Sequence, residues 1–362
     1  MIAALSAVTR DRLRRFARVV RVAALIGAGV GAVYGGATAG PGVRSLLVSL
    51  AISMPIGVID AVLMASCIGA IEFFLLPRPS MRWLEALPFA AVFLLKTLVY
   101  GAIAGAVLAG QPGERVMGVA NVYTLRTGLI AVCLALVAVA VMVMLFQAAG
   151  LVGYRTFRAL LLGRYRRPSA ERRFFLFVDV VGSTAIAERL GALDAHHFLA
   201  AVFSAVAEPI ERCRGEIHQY VGDEIVITWV EADGVADARA LRCFFAMGAA
   251  LAANADRFFE RFGVRPELRA ALHLGEVIAG EVGQVRRAIV FHGDVMNTTA
   301  RLEQATREVG CVFIASAQAL AAVGPLPDIR SRDLGALALR GRVEPIHAFC
   351  VDAPDESALE GP

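Results

Sequence analysis

Two aspartates stand out for the way the chain presents them. The run Phe175-Leu176-Phe177-Val178-Asp179-Val180-Val181-Gly182-Ser183-Thr184 carries one carboxylate to the end of an apolar stretch of strand length, breaks at a glycine and opens a helix. About forty residues on, Val221-Gly222-Asp223-Glu224 sets a second carboxylate on a glycine turn between two strand-like runs. If those strands are neighbours in one sheet, the carboxylates come close, repel, and have raised pKa values unless a cation neutralises them. Magnesium suits such a place, because it takes a few carboxylates and completes its shell with phosphate oxygens. The backbone N–H groups of Val181, Gly182, Ser183 and Thr184 open a helix beside Asp179 and point where phosphates would sit. Alone, that turn reads as a capped helix start; next to a metal carboxylate it reads as a phosphate cradle.

The elements that must hold these groups follow from the hydrophobic period. A strand is predicted over 174–181, a helical stretch over 183–212 broken near Gly191, a hairpin over 216–230 and a long helix over 235–262. A second hairpin over 268–283, a strand over 288–292, a helix over 295–308 and short terminal strands complete the series. Beginning βαββαβ, this is an α+β, ferredoxin-like palm pattern.

Four ordered motifs then resemble one family. Phe177-Val178-Asp179-Val180-Val181-Gly182-Ser183-Thr184, Tyr220-Val221-Gly222-Asp223-Glu224, Gly293-Asp294-Val295-Met296-Asn297-Thr298-Thr299-Ala300-Arg301 and Leu339-Arg340-Gly341-Arg342 together look like a class III adenylate/guanylate cyclase catalytic domain. The resemblance covers about residues 172–351, roughly half the chain, and is closest to bacterial cyclase domains carried behind a polytopic membrane region. It implies two Mg2+ or Mn2+ ions held by Asp179 and Asp223, with the Val178 and Val180 carbonyls as further ligands. Asn297 and Arg301, four apart on one helix face, match the pair that orients the ribose and stabilises charge on the transferring phosphate. Arg340 matches the basic residue that holds the terminal phosphates, usually lysine in animal members, and an arginine fork suits phosphate oxygens. The implied reaction is attack of the ribose 3′ hydroxyl of ATP, or of GTP, on the α-phosphate, giving a cyclic monophosphate and pyrophosphate. A homodimer with two shared sites is implied as well. In this family one subunit supplies the metal pair and the other the Asn/Arg helix, and this chain has both halves.

The sequence departs from the family where the base is selected. The position three before Gly222, usually lysine in adenylate cyclases, is Gln219, and the position seven before Asn297, usually aspartate or threonine, is Val290. Gln219 both donates and accepts hydrogen bonds and could read either purine; Val290 reads neither, so a backbone group or another residue must substitute. Two alternatives stay open on the residues. A diguanylate cyclase palm would explain the Gly222-Asp223-Glu224 turn but leaves Asn297, Arg301 and Arg340 without a role. A receptor or scaffold with an inactive cyclase-like domain should have lost a metal aspartate or the Asn/Arg pair, and none is missing.

Composition divides the chain near Pro168, with long apolar stretches before it and mixed alternation after. About 20 apolar residues span a bilayer as a helix, and four segments, at about 22–40, 45–70, 89–108 and 129–146, reach that length. Pro55 and Asp60 interrupt the second. Arginines 10, 12, 14, 15, 18 and 21 precede the first span and Arg155, Arg158, Arg164, Arg166 and Arg167 follow the fourth. The positive-inside rule then places both termini of a multi-pass cell-membrane protein in the cytoplasm. Charges inside spans are costly and usually pair; Asp60 with Lys96 is the expected pair, Glu72 being placed at an interface. A helical linker over 147–170 leads to the catalytic domain at 171–352, and residues 353–362 read as a disordered tail. The basic net charge of +4 comes from arginine, since Lys96 is the only lysine; clustered beside apolar segments it signals the bilayer, and no nucleic-acid partner is expected. The six scattered cysteines read as buried free thiols, and the adjacent His196 and His197 point apart on a helix, so no shared metal is expected there.

Overall fold

A computed structural model describes residues 7–39, 42–76, 79–110, scattered positions between 115 and 147, and residues 153–161, 163–283, 288–338 and 344–352. It divides into two units, Met1–Leu151 and Val152–Pro362.

The first unit contains helices α1 (Ala7–Thr38), α2 (Val43–Ala70) and α3 (Phe89–Gly110), with a π-helical turn at Ile71–Leu75 and a 3₁₀ stretch at Pro79–Ala86. Three segments are long and apolar enough to cross a membrane: Phe16–Ala37, Val43–Leu75 and Phe89–Gly110. Pro55 sits inside α2 without ending it. The segment expected at 129–146 lies mostly outside the described residues. Small residues let α1 and α2 meet backbone to backbone, as membrane helices often do; a Cβ on Gly27 would collide with the Gly57 carbonyl.

The expected Asp60–Lys96 pair is corrected. Lys96 Nζ lies 2.7 Å from Glu72 Oε1, and the Tyr100 hydroxyl donates to the same oxygen at 2.7 Å. The helix rise of 1.5 Å per residue explains the choice, since Asp60 is about 18 Å from Glu72 along the helix axis and beyond the reach of the same side chain. Asp60 is buried elsewhere on α2.

The second unit begins with α4 (Tyr154–Leu161) and continues β1 (Ser169–Val180), α5 (Ser183–Leu190), α6 (Ala192–Arg212), β2 (Glu216–Val221) and β3 (Glu224–Val230). After the short α7 (Glu231–Val235) come α8 (Arg239–Ala252), α9 (Ala255–Phe262), β4 (Leu268–Val282), β5 (Ala288–His292) and α10 (Asp294–Val309). The unit ends with β6 (Phe313–Ser316), α11 (Ala317–Val323), β7 (Ser331–Leu337) and β8 (Ile346–Val351). The sheet runs β2-β3-β1-β4-β6-β8-β7, with β5 paired to β4. Its first four strands are antiparallel neighbours, the arrangement of a ferredoxin-like βαββαβ unit.

Alternation along β1 sorts its side chains between two faces. Phe174, Leu176, Val178 and Val180 enter the core under α6, α8 and α9, where Phe198, Val202, Val206 and Ile210 recur at helical spacing. Phe175 and Phe177 enter a second cluster with Val226, Phe291, Val295 and Tyr165. Asp179 continues that second face.

The hairpin expected over 268–283 is instead one strand of 15 residues. Its glycines serve close approach rather than a turn: a Cβ on Gly275 would collide with Val295 of α10, and one on Gly280 would meet the Pro168 ring at 3.4 Å. Among the cysteines, Cys311 and Cys350 form a disulfide, which corrects the reading of six free thiols. They are 39 residues apart in sequence, but Ile314 of β6 pairs with Cys350 of β8 and brings the segments together.

Candidate active site

Pairing between β1 and β3 ends where Asp179 meets Glu224, and β4 on the other side places Arg269 opposite Asp179. The β2–β3 turn, made at Gly222 with φ 63°, a conformation that favours glycine, returns Asp223 to the same end of the sheet. The two carboxyls lie within hydrogen-bonding reach of each other, and Ser183 at the start of α5 reaches Asp223. The expected neighbours therefore meet.

The structure adds groups that motif spacing did not single out. Arg269 donates to Asp179 Oδ2 from Nε at 2.9 Å and also from its terminal nitrogen, and Arg307 donates to the same oxygen at 3.1 Å. Glu303 accepts from Arg269 at 3.1 Å. Glu303 and Arg307 are four apart on α10, on a different side of the helix from Asn297 and Arg301. Their spacing was the available signal, as was Arg269 in an otherwise apolar strand.

Burial, reinforced by the hydrogen bond with Asp223, raises the pKa of Asp179 and outweighs the Arg269 guanidinium beside it. Burial also pushes Asp223 up, but hydrogen bonds from Asp179 and Ser183 outweigh it and hold Asp223 below its ordinary value. Burial raises Glu303, with the Asp179 charge adding to it. Glu224 is pushed from 4.5 to about 7 by burial and by the charges of Glu303, Asp179 and Asp223.

These shifts predict a pH dependence with a definite sign. A carboxyl whose folded pKa exceeds its unfolded value favours folding fully below the unfolded value and loses that contribution as pH rises through the folded one. Full-length protein in detergent and chelator should therefore show a thermal midpoint that falls between about pH 5 and pH 8, and Glu224→Gln should flatten the slope. A midpoint that rises over that range in the parent protein would contradict the assignment.

Beside the two guanidiniums, the groups at this end of the sheet that could ligate a metal are oxygens, and a hard divalent cation suits such donors. Among the described residues no group of three or more His, Cys, Asp and Glu side chains is arranged around one centre. Completing a coordination shell therefore needs backbone carbonyls and substrate oxygens. Val180 is suitably placed, one residue beyond the β1–β3 ladder. Of the expected phosphate donors, Val181 is a correction: its N–H is spent on the Glu267 carbonyl at 2.9 Å. Gly182, in the left-handed region at φ 70°, turns the chain into α5 and leaves Ser183 and Thr184 in its first turn.

Asn297 is exposed and Arg301 half-buried on α10, and among the described residues neither side chain bonds to the aspartates. Gln219 is exposed on β2, and Val290 lies on β5 opposite Gly280. Arg340 lies outside the described residues.

Residues 168–351 match the family model of the adenylate and guanylate cyclase catalytic domain. The chain belongs to this cyclase family. Adenylate cyclase 2 of Rhizobium meliloti (strain 1021) is 41% identical over 203 residues, 56% of either chain. Adenylate cyclase of Anabaena cylindrica is 29% identical over 148 residues, 40% of this chain and 29% of that protein. The cyclase described here thus spans less than two thirds of the length of either relative. Among solved structures, a bacterial light-regulated adenylyl cyclase aligns with a TM-score of 0.52 at 19% identity, over 66% of this chain and 68% of that one, a likeness of fold. Family membership makes the cyclase domain a divalent-metal-dependent one.

Proposed function

We propose that the chain is a membrane-anchored adenylate cyclase that converts ATP into 3′,5′-cyclic AMP and pyrophosphate as a homodimer with two shared sites. One observation carries the reading. Asp179 and Asp223 are gathered at the strand ends, whereas Asn297 and Arg301 face outward on α10 of the same chain. A complete site then needs the outward pair of a second copy. The similarity to adenylate cyclase 2 over 203 residues supports ATP as the substrate.

In this reading Asp179, Asp223 and the Val180 carbonyl hold two Mg2+ or Mn2+ ions. The chemistry such a pair supplies is activation of the ribose 3′ hydroxyl and neutralisation of the leaving pyrophosphate. The N–H groups of Gly182, Ser183 and Thr184 cradle phosphate oxygens at the positive end of α5. Arg340 takes the terminal phosphates, and Asn297 orients the ribose. Arg301 meets negative charge as it grows on the α-phosphate, where a placed donor acts most strongly.

The architecture proposed with it is a multi-pass membrane segment to residue 146, a linker over 147–170, a catalytic domain over 171–352 and a tail. Three apolar helices support membrane anchorage; arginines flanking the apolar stretches support a cytoplasmic side for both termini. Purified full-length protein with manganese should form cyclic AMP from ATP in preference to cyclic GMP from GTP. Cyclic GMP as the main product would make it a guanylate cyclase, and no product from either would leave an inactive scaffold.

A further inference from the structure

The Cys311–Cys350 disulfide is built against the end of α10. Both cysteines are buried in a small apolar cluster that also takes Leu302 and Ala305 of that helix and Ile314 of β6. Cys311 is the second residue after the helix. Gly310, at φ 62°, closes α10 with its N–H on the Thr306 carbonyl, and the Cys311 N–H donates to the same carbonyl at 3.1 Å. Thr306 precedes Arg307, which donates to Asp179 at 3.1 Å. On the other side of Cys311 the chain enters β6, and the Val312 carbonyl accepts from the Ala270 N–H at 2.9 Å. Ala270 follows Arg269, the other guanidinium on Asp179. Residues 310–312 therefore support both arginines of the carboxylate network, each through one backbone hydrogen bond.

The disulfide ties that segment to β8. Cys350 pairs with Ile314, and β8 is held to β6 over the short stretch 314–316. Beyond β8 lies β7, the last strand of the sheet. Both sulfurs are buried, so a reactant reaches them through local opening, for which a sheet edge held by a short ladder is the suitable place. The catalytic domain is proposed above to face the cytoplasm, where thiol pools make a disulfide a bond that forms and breaks rather than a permanent brace.

We propose that Cys311 and Cys350 are a reversible redox site whose disulfide holds the end of α10, and with it Arg307 and Arg269, in place on Asp179, so that the oxidised chain is the more active cyclase. The inference rests on the cytoplasmic placement and, for its effect on turnover, on the cyclase reading above. The reactant class is a small-molecule disulfide. One protein thiolate attacks it and displaces one thiolate; the second protein thiolate then attacks the mixed disulfide and displaces the other. The protein loses two electrons, the small disulfide gains them, and the two protons of the cysteine thiols pass to the two leaving thiolates. Reduction runs the same steps backwards. With the bond open, α10 keeps its glycine cap but loses its covalent tie, and a helix end that moves presents Arg301 and Arg307 in more than one position. Small misplacements of that kind lower turnover.

Full-length protein in detergent is equilibrated with mixtures of reduced and oxidised glutathione, quenched in acid and labelled to count free thiols at Cys311 and Cys350. The pair should pass from disulfide to dithiol within the series while the protein stays folded. Along the same curve cyclic AMP formation should fall at least about threefold and the thermal midpoint by about 5–10 °C. The Cys311 and Ala270 amides should exchange about tenfold faster in the reduced protein. Cys350→Ala should hold every reading at its reduced value in all mixtures, Cys311→Ala should do the same, and the titration of the parent decides the matter where neither variant folds. A disulfide that persists, or never forms, in the folded parent across all mixtures overturns the proposal. So does a pair that opens while activity stays constant or rises, and so does a folded Cys350→Ala protein that still responds, since another thiol is then responsible. A parent that forms no cyclic nucleotide in any mixture would sink the cyclase reading alone, and the thiol count with amide exchange still decides whether the pair is reversible and holds α10.

Discussion

Asp179→Ala should lower cyclic AMP formation by about a thousandfold. A metal site contributes several kcal/mol of charge stabilisation, and each 1.36 kcal/mol is a factor of ten. Asp179 is the hub of the charged network: it meets Asp223, Arg269 and Arg307 at once, at the end of the strand pairing with β3. Removing it withdraws a proposed metal ligand and leaves the Arg269 and Arg307 guanidiniums without the carboxylate they share, which weakens the acidity of the site. The variant should therefore also lose the stabilisation against heat that manganese gives the parent protein. Activity within tenfold of the parent at saturating metal would rule out Asp179 as a metal ligand.

Arg301→Ala should cost about 10² to 10³ in kcat while nucleotide binding changes little, since its contact is with charge that develops in the transition state. The more diagnostic result comes from mixing. With a symmetric dimer, half of the dimers formed from equal amounts of Asp179→Ala and Arg301→Ala chains are mixed, and each has one intact site of two. Activity should return to about a quarter of the parent value, a figure that follows from two-fold symmetry. If each chain builds its own complete site, mixing restores nothing. Exposed Asn297 and half-buried Arg301, neither bonded to the aspartates, against the buried Glu303 on the same helix, make restoration the expected outcome.

Much of this chemistry was legible as spacing. Asp179 at a strand end, Asp223 on a glycine turn and the four-residue step from Asn297 to Arg301 are local patterns, and a strand or helix of known period carries them directly into space. A hairpin is expected over 268–283 where one strand forms, because a glycine in a strand, such as Gly275 or Gly280, marks either a turn or a close approach, and only the packing of Val295 and Pro168 tells which. Lys96 was assigned the wrong partner because composition gives charges without their depth along a helix.

By itself the sequence determined the two-part organisation, the βαββαβ order, the family and the carboxylate pair, all of which depend on periodicity and on residues close together in the chain. The tertiary structure alone decided what surrounds them: Arg269 and Arg307 on Asp179, and the disulfide across 39 residues. Those are long-range pairings. Register between strands sets them, and a one-residue shift in a strand moves a side chain from one face of the sheet to the other without any mark in the local pattern.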